Sequence, residues 1–184
     1  MTPPLWRRLQ RESFTSFRAL GPFLQLDLDD YPPRFPLLLP KRLAEKIEKG
    51  RLEDPILLQF LPDSAESSHE AGYNLDPVGD RASQTSPSLL HKYRSRALLL
   101  TTSACAMHCR YCFRQHYDYI EPDLERDIAQ IVDDPSLYEI ILSGGDPLSL
   151  SDDKLAALIK RLEEIPHLKL LRFHTRFPIG IPER

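Results

Sequence analysis

Residues 97–112 read ALLLTTSACAMHCRYC, an apolar run that leads into three closely spaced cysteines. The run at 97–102 has polar flanks, which is typical of a buried strand in a parallel sheet. Cys105, Cys109 and Cys112 follow it in a C-x3-C-x2-C pattern. Ligand sites in parallel α/β folds gather at the carboxyl ends of the strands. The stretch therefore predicts an α/β fold with a thiol-lined site at the end of one strand.

The chain after the cysteines alternates between helical and extended patterns. Apolar side chains at 124, 128, 131 and 132 predict an amphipathic helix that ends near Pro135, followed by a strand at 138–142. The same spacing at 155, 158, 159 and 162 predicts a second helix, which starts near Ser151 and precedes a strand at 168–173. This order favours a parallel sheet with right-handed crossovers. Because the edge of such a sheet needs more chain, we expect a fragment of a longer protein.

The chain before the cysteines is predicted to be helical and then irregular. Residues 37–50 predict a short helix, with Pro40 near its start and Gly50 as its C-cap. An apolar segment follows at 54–61. Residues 62–88 are rich in Ser, Asp, Gly and Pro and lack a sustained apolar period, so we expect an extended connection there.

Composition and charge exclude several classes of function. The 184 residues, 41% hydrophobic and 28% charged, suffice for one domain with its own core. No apolar run approaches the roughly 18 residues that span a bilayer. The basic start leads into Gln10, Arg11 and Glu12 and lacks the apolar stretch of a signal peptide, so we expect a cytoplasmic protein. A net charge of −3 makes nucleic acid a poor candidate partner.

The cysteines themselves indicate a metal site. All three lie within eight consecutive residues, which is an odd number and too local for a disulfide framework. Four thiolates normally hold a four-iron cluster, so three would leave one iron open. The alternatives are a structural zinc site of three cysteines and His108 or His116, and buried cysteines that only fill space.

Two motifs together resemble the signature of radical S-adenosylmethionine enzymes. One is the cysteine pattern with Tyr111 before its last member, and the other is Ser143-Gly144-Gly145-Asp146-Pro147 after the second strand. The resemblance implies that the open iron binds the methionine moiety and that a 5′-deoxyadenosyl radical is released, with Tyr111 near the adenine. Gly144, Gly145 and Asp146 would hold the methionine amino group, although Asp146 replaces the usual Glu. The other interpretation of the paired glycines is a tight turn.

The flanking residues narrow the resemblance to one family. The stretches LHKYRSRALLL at 90–100, CRYCFR at 109–114 and SGGDPL at 143–148 are similar to the lysine 2,3-aminomutase family, particularly to the bacterial branch that makes (R)-β-lysine for elongation factor P. The resemblance implies that 91–184 form the N-terminal half of a radical S-adenosylmethionine partial (β/α) barrel. Residues 1–90 would be a helical N-terminal extension with its connecting loop.

The family also implies an activity, cofactors and partners. The enzyme would convert L-α-lysine to (R)-β-lysine with a 4Fe-4S cluster, S-adenosylmethionine and pyridoxal phosphate. It would receive electrons from a flavodoxin-like donor and self-associate. The lysine that carries pyridoxal phosphate, and the carboxylates that recognise the substrate amine, would lie beyond Arg184, so we expect an incomplete site in these residues. An aminomutase for another amino acid, such as glutamate or arginine, is the alternative.

Individual residues are assigned through the same resemblance. Arg114 matches the arginine that holds the substrate carboxylate, for which a planar bidentate fork is suited. Lys92, Tyr93 and Arg96 match the positions that bind pyridoxal phosphate, although Lys92 stands where other members have arginine. No role is assigned to four further polar residues near the predicted site, Arg110, His116, His174 and Arg176.

Overall fold

The computed structural model describes residues 2–28, 35–68 and 71–184. The helices of these residues, in chain order, are α1 (Leu5–Arg11), α2 (Phe17–Leu24), α3 (Lys41–Ala44), α4 (Leu124–Asp133), α5 (Asp152–Glu163) and α6 (Phe177–Gly180). The strands are β1 (Leu89–Tyr93), β2 (Arg96–Thr102), β3 (Glu139–Gly144) and β4 (Leu170–Phe173). Short 3-10 helices lie at Leu57–Gln59, Ser64–Ser67, Arg81–Ser83 and Pro147–Ser149.

The chain divides into two compact units, and each is made of several segments. One unit, here called the helical unit, comprises Met1–Leu75, Ala106–Gln115 and Arg176–Arg184. The other, here called the sheet unit, comprises Asp76–Cys105 and His116–Thr175. The predicted domain boundary at residue 90 stays a prediction.

The sheet unit contains one four-stranded sheet in the order β1-β2-β3-β4. β2, β3 and β4 are parallel, as the β-α-β-α-β pattern predicts. β1 was not predicted, and it pairs antiparallel with β2, so the sheet is mixed. The chain reverses between these strands at Ser95, whose φ of 65° lies in the left-handed region that tight turns use.

Both helices of the sheet unit begin at a side-chain cap, and the start of α5 at Ser151 agrees with the prediction. The Asp123 side chain accepts a hydrogen bond from the N–H of Arg126 to start α4, and Ser151 accepts from Lys154 to start α5. The apolar side chains of both helices and of one sheet face form a single core, which contains Leu99, Leu142, Ile131, Leu158 and Leu162 among others. Residues of opposite parity, including Arg96 and Glu139, lie on the other sheet face.

The helical unit corrects one helix prediction. The helix expected at 37–50 is only Lys41–Ala44, followed by turns. Its continuation is interrupted because the N–H of Glu48 donates to the Asp54 carboxylate, and the N–H of Gly50 donates to the carbonyl of Leu24. The core of this unit includes Trp6 of α1, which packs edge-on against Phe177 at a centroid distance of 5.6 Å.

The observed architecture agrees with the α/β class that the sequence predicts. The segment 62–88 is mostly turns between two 3-10 helices, as expected for a connection, with residues 69 and 70 outside the described residues. The description of 1–90 as an N-terminal extension stays a prediction. Among the described residues, no helix combines the length and apolar character needed to cross a membrane.

Candidate functional site

The paired glycines at the carboxyl end of β3 pack against the backbone that leads to Cys105. The N–H of Gly145 donates to the carbonyl of Thr102 at 2.6 Å, and the N–H of Asp146 donates to that of Ala104 at 2.7 Å. A Cβ on Gly144 would lie 2.3 Å from the Thr102 oxygen, and one on Gly145 would lie 2.2 Å from the Ala104 oxygen. Both positions therefore require glycine, and the motif holds the segment before the first cysteine at the carboxyl ends of β2 and β3.

Asp146 is buried, and its two carboxylate oxygens have protein donors. Oδ1 accepts from the N–H of Leu148 at 3.0 Å, and Oδ2 accepts from the Thr175 hydroxyl at 2.9 Å. Thr175 lies just beyond β4, so Asp146 connects the ends of β3 and β4. The sequence offered one signal for Thr175, its position at the end of a parallel strand. The predicted contact of Asp146 with the methionine amino group stays a prediction.

The three cysteines have the donor chemistry that a cluster needs. None of them forms a disulfide; Cys109 is buried, while Cys105 and Cys112 are half-buried. Cys105 closes the first segment of the sheet unit, and the N–H of Cys112 donates to the Cys109 carbonyl at 2.9 Å in the helical unit. Free thiols of this kind are the usual ligands of iron–sulfur clusters. The donor set therefore fits a cluster by its chemistry.

Cys109 has a cationic neighbour that sequence reasoning left unassigned. Nη1 of Arg176 donates to the Cys109 sulfur at 2.7 Å and also contacts the Tyr111 hydroxyl. Nη2 of Arg176 donates to Oε1 of Gln59 at 3.0 Å. Burial raises the pKa of the Cys109 thiol, and the Arg176 charge opposes that rise.

Backbone contacts also hold the cysteine loop. The N–H of Arg110 donates to the Gln59 carbonyl at 2.8 Å, and the N–H of His108 donates to Leu38 at 3.0 Å. Nδ1 of His108 donates to the carbonyl of Pro36 at 2.7 Å. No motif in the sequence marks Gln59 as part of this arrangement.

These contacts bear on the zinc hypothesis. Zinc in a structural site needs four ligands around one point. Nothing in 2–28, 35–68 or 71–184 forms a group of three or more His, Cys, Asp or Glu side chains that could hold a metal ion. His108 uses one ring nitrogen on a backbone carbonyl, and the backbone oxygen of His116 accepts from Arg81 at 3.1 Å. The absence of such a group from the described residues applies equally to zinc and to an iron–sulfur cluster, so the zinc alternative stays a prediction.

Two further predicted residues lie on the same loop. Arg114 is buried at 8% exposure, and its guanidinium carbon lies 4.6 Å from the ring centroid of Phe113. The Tyr111 ring is 62% exposed, while its hydroxyl lies 3.4 Å from Oε1 of Gln59. The loop thus brings Cys109, Cys112, Tyr111 and Arg114 together within the helical unit.

The residues assigned to pyridoxal phosphate lie together elsewhere, at the turn between β1 and β2. Tyr93 and Arg96 are register partners, and the Lys92 ammonium lies 5.8 Å from the Tyr93 ring centroid. Lys92 also donates to the Val78 carbonyl. Arg96 begins β2, whereas Cys105 follows its carboxyl end, so these two residues are separated by a strand length of about 20 Å. Exposed cations beside a hydroxyl have the chemistry for a phosphate group.

A buried carboxylate that sequence reasoning missed pairs with one of these cations, Arg96. Glu139 is 4% exposed and lies at the start of β3. Its Oε2 lies 3.6 Å from Nε of Arg96, and its Oε1 lies 2.7 Å from Nη2 of Arg172. The only sequence signal is that positions 96, 139 and 172 share one sheet face by strand alternation. Glu139 thus forms an ion pair with Arg96, the residue that the resemblance assigns to phosphate binding.

Comparison with known proteins finds a matching family profile and several similar enzymes. A protein-family profile described as "4Fe-4S single cluster domain" matches residues 94–174. The chain is 38% identical over 190 residues to an L-lysine 2,3-aminomutase of Haemophilus influenzae, which covers 97% of this chain and 56% of that relative. It is 43% identical over 155 residues to an L-lysine 2,3-aminomutase of Escherichia coli, which covers 82% of this chain and 45% of that relative. The chain thus spans about half the length of these curated relatives.

A more divergent relative has the same name. An L-lysine 2,3-aminomutase of Acetoanaerobium sticklandii is 36% identical over 137 residues, or 71% of this chain and 33% of the relative. The matched family profile includes all three cysteines, the paired glycines and β2 through β4. The matched range therefore includes the carboxyl ends of β2, β3 and β4, with Cys105 and the paired glycines.

Proposed function

Since the chain belongs to the lysine 2,3-aminomutase family, we propose that it is part of a radical S-adenosylmethionine enzyme that converts L-α-lysine to (R)-β-lysine. The observation that supports this most is the 38% identity to a relative of that name over 97% of the chain. Within this proposal, the β-lysine serves the modification of elongation factor P.

In this proposal, each of the three cysteines ligates one iron of the cluster. A 4Fe-4S cluster, S-adenosylmethionine and pyridoxal phosphate, when bound, supply the radical and amino-transfer chemistry. Cys105, Cys109 and Cys112 provide three thiolates, which is one fewer than a cluster with a full protein ligand set. Gly144 and Gly145 fix the backbone before Cys105 and keep side chains out of the space beside it.

Other residues in the proposal bind and orient the substrate and the pyridoxal cofactor. The Arg114 guanidinium holds the substrate carboxylate, for which its burial is favourable because low polarity strengthens a charged hydrogen bond. Lys92, Tyr93 and Arg96 hold the phosphate of the pyridoxal cofactor, and Glu139 orients Arg96. Correct placement of bound groups contributes strongly to rate, because the reacting atoms must approach closely.

The partners in the proposal follow from the same activity. Free L-lysine is the substrate, and a flavodoxin-like protein supplies the electron. The full-length enzyme is a homo-oligomer in the cytoplasm. Its pyridoxal-bearing lysine belongs to a part of the protein outside these residues.

The test uses the full-length gene product, purified and reconstituted without oxygen. We expect a brown protein with about four irons and four sulfides per chain. With S-adenosylmethionine, pyridoxal phosphate and a low-potential reductant, it should convert L-lysine to β-lysine, which chromatography of derivatised amino acids would detect. A colourless protein that holds zinc would contradict the proposal.

Variants and a substrate panel make the test more specific. Arg114→Lys should lower kcat/KM for lysine about 100-fold or more, because an ammonium cannot make the bidentate contact. Arg161→Gln, at an exposed ion pair with Glu125 in the sheet unit, is the matched control and should retain activity. Turnover of glutamate or arginine in preference to lysine would assign the enzyme to another substrate.

A further inference from the structure

The contact between Arg176 and Cys109 stands apart from the residues that the family resemblance assigns. Arg176 lies 67 positions after Cys109, at the segment between β4 and α6, yet its Nη1 is 2.7 Å from the cysteine sulfur. Both residues belong to the helical unit. The sulfur is buried, so the donor acts in surroundings of low polarity, where a charged hydrogen bond is strongest.

The guanidinium is held in place from two further sides. Nη2 donates to Oε1 of Gln59 at 3.0 Å, and Nη1 also contacts the hydroxyl of Tyr111. Its central carbon lies 5.5 Å from the Tyr111 ring centroid. Gln59 is itself fixed to the cysteine loop, because its carbonyl accepts from Arg110 at 2.8 Å. Gln59 and Tyr111 therefore hold the Arg176 guanidinium in the orientation in which its Nη1 donates to the Cys109 sulfur.

We propose that Arg176 is a positioning residue that donates a hydrogen bond to the Cys109 sulfur and raises the reduction potential of the cluster bound there. The inference rests on the proposed function, because it takes Cys109 as a cluster ligand. Reduction adds one electron from a low-potential donor, such as a flavodoxin or a chemical titrant, and makes the cluster more negative. A fixed cation and an N–H donor at the ligand sulfur stabilise that added charge.

The experiment measures the midpoint potential of the reconstituted full-length protein by redox titration followed by electron paramagnetic resonance. Arg176→Gln removes the charge, so we expect its cluster to be harder to reduce. The ratio of reduced to oxidised cluster at a given potential should fall at least tenfold, which is 59 mV for one electron. Arg161→Gln loses an exposed guanidinium in the sheet unit and should keep the wild-type potential.

Two more variants separate tuning from a merely structural role. Arg176→Lys keeps the charge but cannot contact Cys109 and Gln59 with two separate nitrogens, so its potential should fall between those of the wild type and Arg176→Gln. Gln59→Met leaves the guanidinium but removes its side-chain acceptor, and should shift the potential in the same direction by a smaller amount. If Arg176→Gln fails to fold or to bind iron, these two variants still test the inference.

The outcomes distinguish the inference from the proposed function. A wild-type protein that assembles no cluster would overturn the proposed function and the inference with it. A wild-type cluster whose potential is unchanged in the Arg176 and Gln59 variants would overturn the inference alone. A graded shift in the order Gln59→Met, Arg176→Lys and Arg176→Gln, at equal iron content, would support it.

Discussion

At the scale of single residues, the site depends on glycines at which any side chain would collide with neighbouring backbone atoms. The Gly144 backbone has a φ of 119°, which side chains rarely allow, and any Cβ there would meet the Thr102 carbonyl oxygen. Conformation and crowding therefore both select glycine at this position. The sequence suggested either a ligand contact or a tight turn, and the structure adds close packing on the segment before Cys105.

Gly144→Ala should lower the free energy of unfolding by about 3 kcal/mol, because the new methyl group adds a clash to the backbone strain. Chemical denaturation of the wild type and variant would measure the difference. Gly79→Ala in the same unit is the control, because Gly79 has a φ of 69° but its nearest neighbour, Nζ of Lys92, is 4.0 Å away. Equal losses for the two variants would show that crowding at Gly144 contributes nothing.

At the scale of secondary-structure elements, buried polar groups connect segments that apolar packing alone would leave free to shift. Asp127 of α4 is fully buried and accepts from the hydroxyls of Ser86 and Ser88. These serines precede β1, so the carboxylate attaches α4 to the entry of the edge strand. Such a group is costly to bury and becomes stabilising only with its donors present.

Asp127→Ala should destabilise the protein by about 2 to 4 kcal/mol, because both buried hydroxyls lose their acceptor. Thermal unfolding followed by circular dichroism would report the change. Asp133→Ala, at the exposed end of the same helix, should have an effect below about 0.5 kcal/mol. The role assigned to Asp127 would be wrong if both variants unfolded at the same temperature as the wild type.

The Asp54 carboxylate accepts hydrogen bonds at the start of the 3-10 helix Leu57–Gln59, which contains Gln59. Its ionisation should make the stability of the protein depend on pH. Burial acts to raise the pKa of Asp54, but the N–H donors of Glu48, Leu57 and Ile56 outweigh it and lower the pKa below the ordinary 3.8. The folded state therefore favours the ionised carboxylate. Its stabilisation is complete above the unfolded pKa and is lost as the pH falls from 3.8 through the lower folded value.

Asp54→Asn should lower the stability at pH 7 by roughly 1 to 2 kcal/mol, because the amide nitrogen cannot accept from the N–H of Glu48, and the difference from wild type should shrink below about pH 4. Urea denaturation at a series of pH values would measure both effects. Glu53→Gln changes the neighbouring exposed acid and serves as the control. A difference that persists unchanged to pH 2 would argue against an ionised Asp54 as the cause.

At the scale of the whole molecule, cofactor binding and folding should be coupled. A ligand that binds only the folded protein stabilises it by mass action, by about 2.7 kcal/mol at a hundredfold excess over Kd. The proposed cosubstrate S-adenosylmethionine binds through the cluster, so its effect should require the cysteines.

We expect S-adenosylmethionine to raise the unfolding temperature of the reconstituted full-length protein by a few degrees. Cys109→Ser should abolish the increase, because the variant lacks one of the three ligands. Differential scanning fluorimetry in an anaerobic chamber would measure both proteins. An equal increase in the variant would mean that the nucleoside binds without the cluster.

The sequence by itself determined the features that depend on near neighbours in the chain. The helix start at Ser151 follows from a capping residue, and the three parallel strands follow from local apolar periodicity. The ligand chemistry also follows locally, because three thiols within eight residues cannot form a complete set of disulfides. Comparison with relatives then supports the family that these motifs indicate.

Only the tertiary structure decided which distant residues meet. The pairing of β1, the early end of α3 and the contact of Arg176 with Cys109 all join segments that no short pattern connects. Periodicity records which face of an element is apolar, but it does not record which polar side chain will reach across from another segment. The contacts of Arg176 and Glu139 arise from packing, and burial strengthens such charged contacts only once the chain has folded.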